Sequence, residues 1–323
     1  MMTSTASLFD PRAFIDEQVK LIQETVKGHA VIATSGGVDS TAAAAIVGKA
    51  LGKNLTAVYV DTGFMRKGET ESVRDLLSAL GIDVRILKAG DEFFAALKGV
   101  TEPEAKRKII GEKFIRIFER VAKDVHAEYL VQGTIAPDWI ESGGGARDVI
   151  KSHHNVGGLP SDMKMKLVEP LRDLYKDEVR KVARALGLKV SERQPFPGPG
   201  LAIRVLGELT PERVEIVRGC CAIVEEEIEK AHKEGKIGVL PWQYFAALLP
   251  VRSVGVQGDI RAYGETVVVR AVASIDAMTA THFHVPHDVL STISRRITNT
   301  YKDKINRVVY DVTDKPPGTV EWE

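Results

Sequence analysis

The chain has 323 residues, with 44 basic and 44 acidic side chains and a formal net charge of zero, which excludes a global field drawing it onto nucleic acid. Hydrophobic residues at 44% and charged residues at 27% describe a globular chain too long for one compact core, so two domains are expected. No apolar run is long enough to span a membrane, the first residues lack the charged start and apolar centre of a signal peptide, and the two cysteines, Cys220 and Cys221, are adjacent; no membrane partner, free buried thiols and a cytoplasmic location are therefore expected.

In chain order, Asp10-Pro11 reads as an N-cap followed by proline at the first helical position, and Ile15, Val19, Ile22 and Val26 continue at helical spacing until Gly28. Ala30 to Ala33 is a short buried strand. Ser35-Gly36-Gly37-Val38-Asp39-Ser40-Thr41 follows, and then an alanine-rich helix from Ala42 to Leu51. The two glycines allow a sharp turn and close backbone approach to a ligand, and a helix start offers unpaired N–H groups and the positive end of a dipole. Ser35, Ser40 and Thr41 add hydroxyls, and Asp39 adds a carboxylate suited to a metal bridging phosphates. The stretch reads as a phosphate cradle.

Strands at Leu55–Val60, Val84–Leu87 and Tyr129–Val131 alternate with helices carrying Val73, Leu76, Leu77 and Leu80, and then Ile110, Phe114, Ile117, Phe118 and Val121. This alternation predicts an α/β fold, a doubly wound parallel sheet with helices on both faces. Ser35, Asp61 and Gln132 all fall at carboxyl ends of strands, where such sheets bind ligands, so one site can gather them. From about residue 139 to 162 the chain is polar and glycine-rich, the composition of a functional lid or a disordered loop. A helix from Lys176 to Leu186 follows, and Pro195-Phe196-Pro197-Gly198-Pro199-Gly200 marks a boundary. The expected domains are 1–200 and 201–323. The second is a smaller α+β unit with a helix from Pro211 to about Glu234 and strand-like runs at Tyr244–Leu249, Ser253–Gln257 and Thr266–Ala273. A helix over Asp288–Tyr301 and a strand over Arg307–Val312 close it.

No lysine stands where a Walker A loop needs one, and the Gly-x-Gly-x-x-Gly fingerprint is absent. Ser-Gly-Gly-x-Asp-Ser instead resembles the pyrophosphate loop of the N-type ATP pyrophosphatases, which have the adenine nucleotide alpha hydrolase-like fold. Longer motifs narrow the resemblance. The segments running from Gln132 to Ser142, Ile150 to Pro160, Leu167 to Asp173, Pro195 to Leu201 and Lys315 to Glu323 are similar to those of the GMP synthetase family. Gly318 and Val320 depart mildly from that pattern, where alanine and isoleucine are usual. Neither cysteine lies in the glycine-rich elbow of a glutamine amidotransferase domain, so the resemblance is to the separate ATP-pyrophosphatase subunit of a two-subunit, glutamine-hydrolysing ligase.

That resemblance implies a C–N ligase of purine biosynthesis. Its XMP substrate would be adenylated at O2 by Mg-ATP with release of pyrophosphate, and ammonia from an amidotransferase partner would then displace AMP to give GMP. ATP and Mg2+ are the implied cofactors. By the same resemblance Ser35, Gly36, Gly37, Val38, Asp39, Ser40 and Thr41 bind the pyrophosphate, with Asp39 as metal ligand, and Lys151, His153 and His154 belong to the lid. Asp138 and Glu141, three apart, suit metal binding or water activation if their stretch is helical. Arg107, Gln243, Lys315, Val320 and Glu321 are the implied XMP contacts, the lysine for the phosphate and the glutamine and glutamate for the purine edge or the ribose. The C-terminal domain is implied to form a homodimer. Two other readings share the loop: a tRNA-modifying pyrophosphatase, which predicts a basic stripe and clustered cysteines, and a non-catalytic nucleotide-binding scaffold.

Overall fold

A computed structural model describes residues 9–137, 165–188, 194–257, 259–275 and 277–323. They form two compact units, the first of Met1–Asp61, Glu69–Lys88 and Gly111–Arg193, the second of Thr62–Gly68, Ala89–Ile110 and Gln194–Glu323. The grouping is therefore interleaved in sequence.

The first unit is built on a parallel five-stranded sheet in the order β3-β2-β1-β4-β5, with β1 at Ala30–Ala33, β2 at Leu55–Asp61, β3 at Asp83–Lys88, β4 at Tyr129–Val131 and β5 at Lys166–Val168. Parallel pairing with crossover helices buries both sheet faces, which is why β1, β2 and β4 are nearly continuous apolar runs. Helix α1 (Pro11–Thr25) begins as expected, with Asp10 Oδ1 accepting from the N–H groups of Arg12 (2.9 Å) and Ala13 (3.3 Å). Helix α2 (Val38–Leu51) buries Thr41 through Val47, where small alanines let it lie close against its neighbours. Helix α3 (Glu69–Ala79) turns Val73 and Leu77 inward. Strand β5 is not among the elements expected from sequence; with three residues and an exposed pattern, it has no apolar run to announce it.

The second unit contains α4 (Gly90–Leu97), which has no counterpart among the expected elements, and the first turns of α5, a helix running from Pro103 to Asp124. Phe64 packs edge-on against Phe93 at 6.1 Å and Phe94 at 5.1 Å. Its carbonyl accepts from the Leu201 N–H at 2.7 Å. These contacts draw Thr62–Gly68 into the same compact unit. Gly200 has φ of +65°, and a Cβ there would fall 2.4 Å from the Phe64 oxygen, so only glycine fits.

The sheet of this unit pairs β6 (Gln243–Gln257) antiparallel with β7 (Ile260–Ala273), while β8 (Thr281–His282) pairs antiparallel and β9 (Ile305–Tyr310) parallel with β7. The two strand-like runs expected at Tyr244–Leu249 and Ser253–Gln257 are one strand. Pro250 reads as a break, but it sits at a register shift between Leu249 and Arg252 on the end strand of the sheet, where a bulge absorbs a residue without a donor. Helix α6 (Lys176–Ala185) lies in the first unit; α7 (Pro211–Lys233) and α8 (His287–Thr300) lie in the second. Helix α7 is capped by the Thr210 hydroxyl and buries Cys220 and Cys221 as free thiols. Burial pushes both thiols above the ordinary cysteine range. No described helix is long and apolar enough to cross a membrane.

Candidate active site

In the first unit the strand order reverses beside β1: the chain moves outward to β2 and β3, then returns to place β4 on the other side. Ligands bind at the carboxyl ends of strands around such a reversal. The loop after β1 carries Ser35 to Thr41, and the loop after β4 carries Gln132-Gly133-Thr134. The two meet. A Cβ on Gly133 would lie 2.9 Å from the Ser40 nitrogen and 3.1 Å from the Asp39 carbonyl oxygen, so the backbone itself closes one wall.

The cradle is held from within. Ser40 Oγ lies 3.3 Å from both the Ser35 N–H and the Ser35 hydroxyl and donates to the Gly37 carbonyl at 3.3 Å. The Gly37 N–H donates to Ser35 Oγ at 3.3 Å, and the Gly36 N–H reaches Thr34 Oγ1 at 3.4 Å. Gly36 has φ of +76°, and a Cβ would strike Val73 at 2.6 Å. Gly37 is the N-cap of α2 and, having no side chain, leaves the helix without a side-chain cap. The first N–H groups of α2 thus lack a side-chain acceptor while the aligned dipoles make the spot electropositive. Ser35 and Gly37 are exposed, Val38, Asp39 and Ser40 half-buried, and Gly36 buried. Thr41 differs from the expected picture: it is fully buried, and its Oγ1 has no hydrogen-bond partner among the described residues.

Asp39 is engaged by a residue that sequence reasoning did not single out. Lys176, the first residue of α6, donates to both carboxylate oxygens, at 2.8 and 2.6 Å. Their separation in sequence left no local signal. Among the described residues no three carboxylate, histidine or cysteine groups gather as a metal site. A magnesium ion needs less from the protein, since one or two carboxylates, substrate phosphates and waters complete its shell. Asp39, in the first turn of α2, fits that role once Lys176 releases it. Asp61 lies at the end of β2, with its Oδ2 accepting from the Thr70 hydroxyl at 2.9 Å. Asp138, Glu141, Lys151, His153 and His154, with the expected lid, lie outside the described residues.

In the second unit, Gln243, Val320, Glu321, Lys315 and Arg107 are all tied to the C-terminal segment, though not all to one another. Gln243 Nε2 donates to Glu321 Oε1 at 2.7 Å. The Val320 carbonyl accepts from Arg270 Nε at 2.8 Å, and the same guanidinium takes the carbonyls of Thr313 and Thr319 and pairs with Asp311. Lys315 Nζ donates to the Ala277 carbonyl at 2.7 Å. Arg107 donates to the Glu323 backbone oxygen, while neighbouring Lys106, fully buried, bonds the Val205 carbonyl and the Glu323 carboxylate. Burial lowers the Lys106 pKa even with that carboxylate beside it. The basic triplet around Arg107 looks like a solvated face in sequence; two of its members anchor the terminal segment.

The parallel sheet, its switch-point loop and the uncapped mouth of α2 define a nucleotide-binding unit of the ATP pyrophosphatase class. The family profile described as queuosine biosynthesis protein QueC matches residues 29–194, and that described as GMP synthase C terminal domain matches 226–322. Curated relatives, each named as one subunit of a glutamine-hydrolyzing GMP synthase, align along nearly their whole length. The protein from Thermococcus kodakarensis is 59% identical over 96% of this chain and 99% of its own. That from Methanopyrus kandleri is 57% identical over 98% of this chain and 100% of its own. The chain belongs to this family, the synthetase subunits of glutamine-hydrolyzing GMP synthase. Among solved structures, NMN synthetase from Francisella tularensis superposes with a TM-score of 0.47 at 17% identity, over 64% of this chain and 85% of that one.

Because backbone, not a flexible side chain, faces Gly133, Gly133→Ala is expected to cost about 1–3 kcal/mol of stability and to weaken adenine-nucleotide binding about tenfold. Gly238→Ala, where a Cβ meets nothing within 4 Å, should change neither. Thermal unfolding and nucleotide titration of the two variants check this.

Proposed function

We propose that the chain is the synthetase subunit that makes GMP from XMP, adenylating the C2 oxygen of the purine with ATP and then letting ammonia displace AMP. The observation that carries this reading is the uncapped start of α2 walled by the Gly133 backbone, in a chain of this family. The chemical difficulty is charge, because attack at the α-phosphorus turns the β- and γ-phosphates into a highly charged leaving group. N–H groups already aimed at one point cost no reorganisation when that charge develops. Ser35 to Ser40 therefore hold the pyrophosphate, with Ser35 and Ser40 as hydroxyl donors. Thr41 contributes its backbone N–H only to the Gly37 carbonyl and keeps the loop packed. Asp39 holds Mg2+, which supplies neutralising charge to the phosphates when bound, and Lys176 is then free to reach a phosphate oxygen.

Lys151, His153 and His154 serve as the lid over the phosphates, with Asp138 and Glu141 beside the cradle. Around the terminal segment, Lys315 takes the XMP phosphate, Glu321 and Gln243 pair with the purine edge or the ribose, and the Val320 backbone and Arg107 complete the contact. Within residues 1–200 the first unit acts as the ATP-pyrophosphatase domain, and residues 201–323, with the segments that join them in the second unit, act as the XMP-binding and dimerisation domain. Ammonia comes from a separate glutamine amidotransferase subunit, and the enzyme works in the cytoplasm. A homodimer is supported by the β6–β7 hairpin, where Val254 pairs with Tyr263 and shares its face with Val256, all three exposed.

Purified chain given XMP, Mg-ATP and ammonium should yield GMP, AMP and pyrophosphate in equal amounts, and XMP alone should trigger pyrophosphate release before ammonia is added. ADP and phosphate as products would eliminate the mechanism; Asp39→Ala should abolish the release while leaving the fold intact. Lys315→Ala is expected to raise the XMP KM about tenfold or more, the size of one lost charge-assisted hydrogen bond, with the ATP KM unchanged; equal XMP kinetics would refute its role. Sedimentation should give a dimer that Val256→Asp weakens, and a monomeric parent protein would sink the dimer.

A further inference from the structure

The second unit holds a buried polar cluster that the roles above leave unexplained. Arg204, in the short 3₁₀ turn Gly200–Arg204, is 1% exposed. Its Nε and one terminal nitrogen donate in parallel to Glu321, at 3.0 Å to Oε2 and 2.8 Å to Oε1. The guanidinium lies over the Phe245 ring at 4.1 Å and the Phe196 ring at 5.4 Å. Gln243, also buried, adds its donation to Oε1.

Docking the terminal segment does not require this cluster. Arg270 already holds three carbonyls of that segment, and Lys106 and Arg107 hold Glu323. A buried ion pair is also a poor way to gain stability, because desolvation offsets most of the attraction. What the cluster does well is aim a carboxylate. Arg204 and Gln243 are buried, whereas the Glu321 side chain keeps 14% of its surface open. A carboxylate accepts about four hydrogen bonds. Among the described residues Oε1 receives two and Oε2 one, which leaves one acceptor position among them, on Oε2. Bidentate pairing and two stacked rings fix where that position points.

Resting on the reading of Glu321 as an XMP contact, we propose that Arg204 is a positioning residue for substrate recognition: clamped by Phe196 and Phe245, it holds Glu321 as a fixed, acceptor-only group for one hydrogen-bond donor of XMP. The donor is a ring N–H of the purine or the ribose 2′-hydroxyl. An acceptor so placed rejects a nucleotide that brings an acceptor to the same point, because two unpaired acceptors are then buried together.

The test compares Arg204→Lys, Glu321→Gln and the double variant in the full chain, with steady-state kinetics in free ammonium and thermal unfolding. Lysine keeps the charge and loses the fork and the stacking. The XMP KM of Arg204→Lys should rise about tenfold, with kcat and ATP KM within about twofold, and the double variant should be no worse than Glu321→Gln alone. A similar XMP KM for the 2′-deoxy analogue identifies the ring N–H as the donor, and a matching rise identifies the 2′-hydroxyl. If Glu321→Gln raises the XMP KM and Arg204→Lys does not, or if Arg204→Lys moves kcat and both KM values together, the positioning role is overturned and the reading of Glu321 stands. If Glu321→Gln leaves the XMP KM unchanged, that reading falls and takes the inference with it. Should Arg204→Lys not fold, Phe196→Leu decides: a two- to fourfold rise in XMP KM is expected, and no change overturns the proposal.

Discussion

Between the carboxyl ends of β1 and β4 the Gly133 backbone passes so close to Asp39 and Ser40 that a single methyl group would collide with main chain. That approach sets the start of α2 against a rigid wall. It is possible because β1 lies at the centre of a parallel sheet, paired with β2 on one side and β4 on the other. A chain leaving β1 and a chain leaving β4 must then emerge side by side. The anion site proposed here rests on this geometry more than on any one side chain, since the first N–H groups of α2 have no side-chain cap and the N-cap is a glycine.

The second unit is organised by a different constraint, the docking of a mostly polar terminal segment against the sheet. An apolar strand would dock by burial. This segment docks by lending its carbonyls and its terminal carboxylate residue to cations: Thr313, Thr319 and Val320 to buried Arg270, and Glu323 to buried Lys106 and half-buried Arg107. Burial opposes the charge on Arg204, yet the Glu321 carboxylate leaves it more firmly protonated than an ordinary arginine. The buried cations Arg270 and Lys106 are tolerable because they find these acceptors, so the segment has little freedom to settle elsewhere.

The legible part of the site is local. Ser35 to Thr41 can be read as a cradle because strand, turn and helix follow one another directly, and the Asp10 cap is equally local. The hidden part joins residues distant in the chain. Lys176 meets Asp39 across the fold, and Arg204 meets Glu321. Lys106 shows how composition misleads: in a run of three basic residues it looks solvated, but it is wholly buried. Pro250 shows the converse: it lies between two runs expected as separate strands, and one end strand accommodates it at a register shift.

By itself, the sequence determined the alternation of strands and helices, the parallel sheet it implies, the strand–turn–helix that carries Ser35 to Thr41 and the family to which the chain belongs, because all of these are written in short-range pattern and in contiguous motifs. Only the tertiary structure decided that Gly133 walls the cradle, that Lys176 occupies Asp39, that the segments at 62–68 and 89–110 join the C-terminal unit, and that Glu321 is held by a stacked arginine. These depend on which distant segments are brought within hydrogen-bonding reach. Hydrophobic periodicity reports the face a residue turns inward, not the partner it meets there.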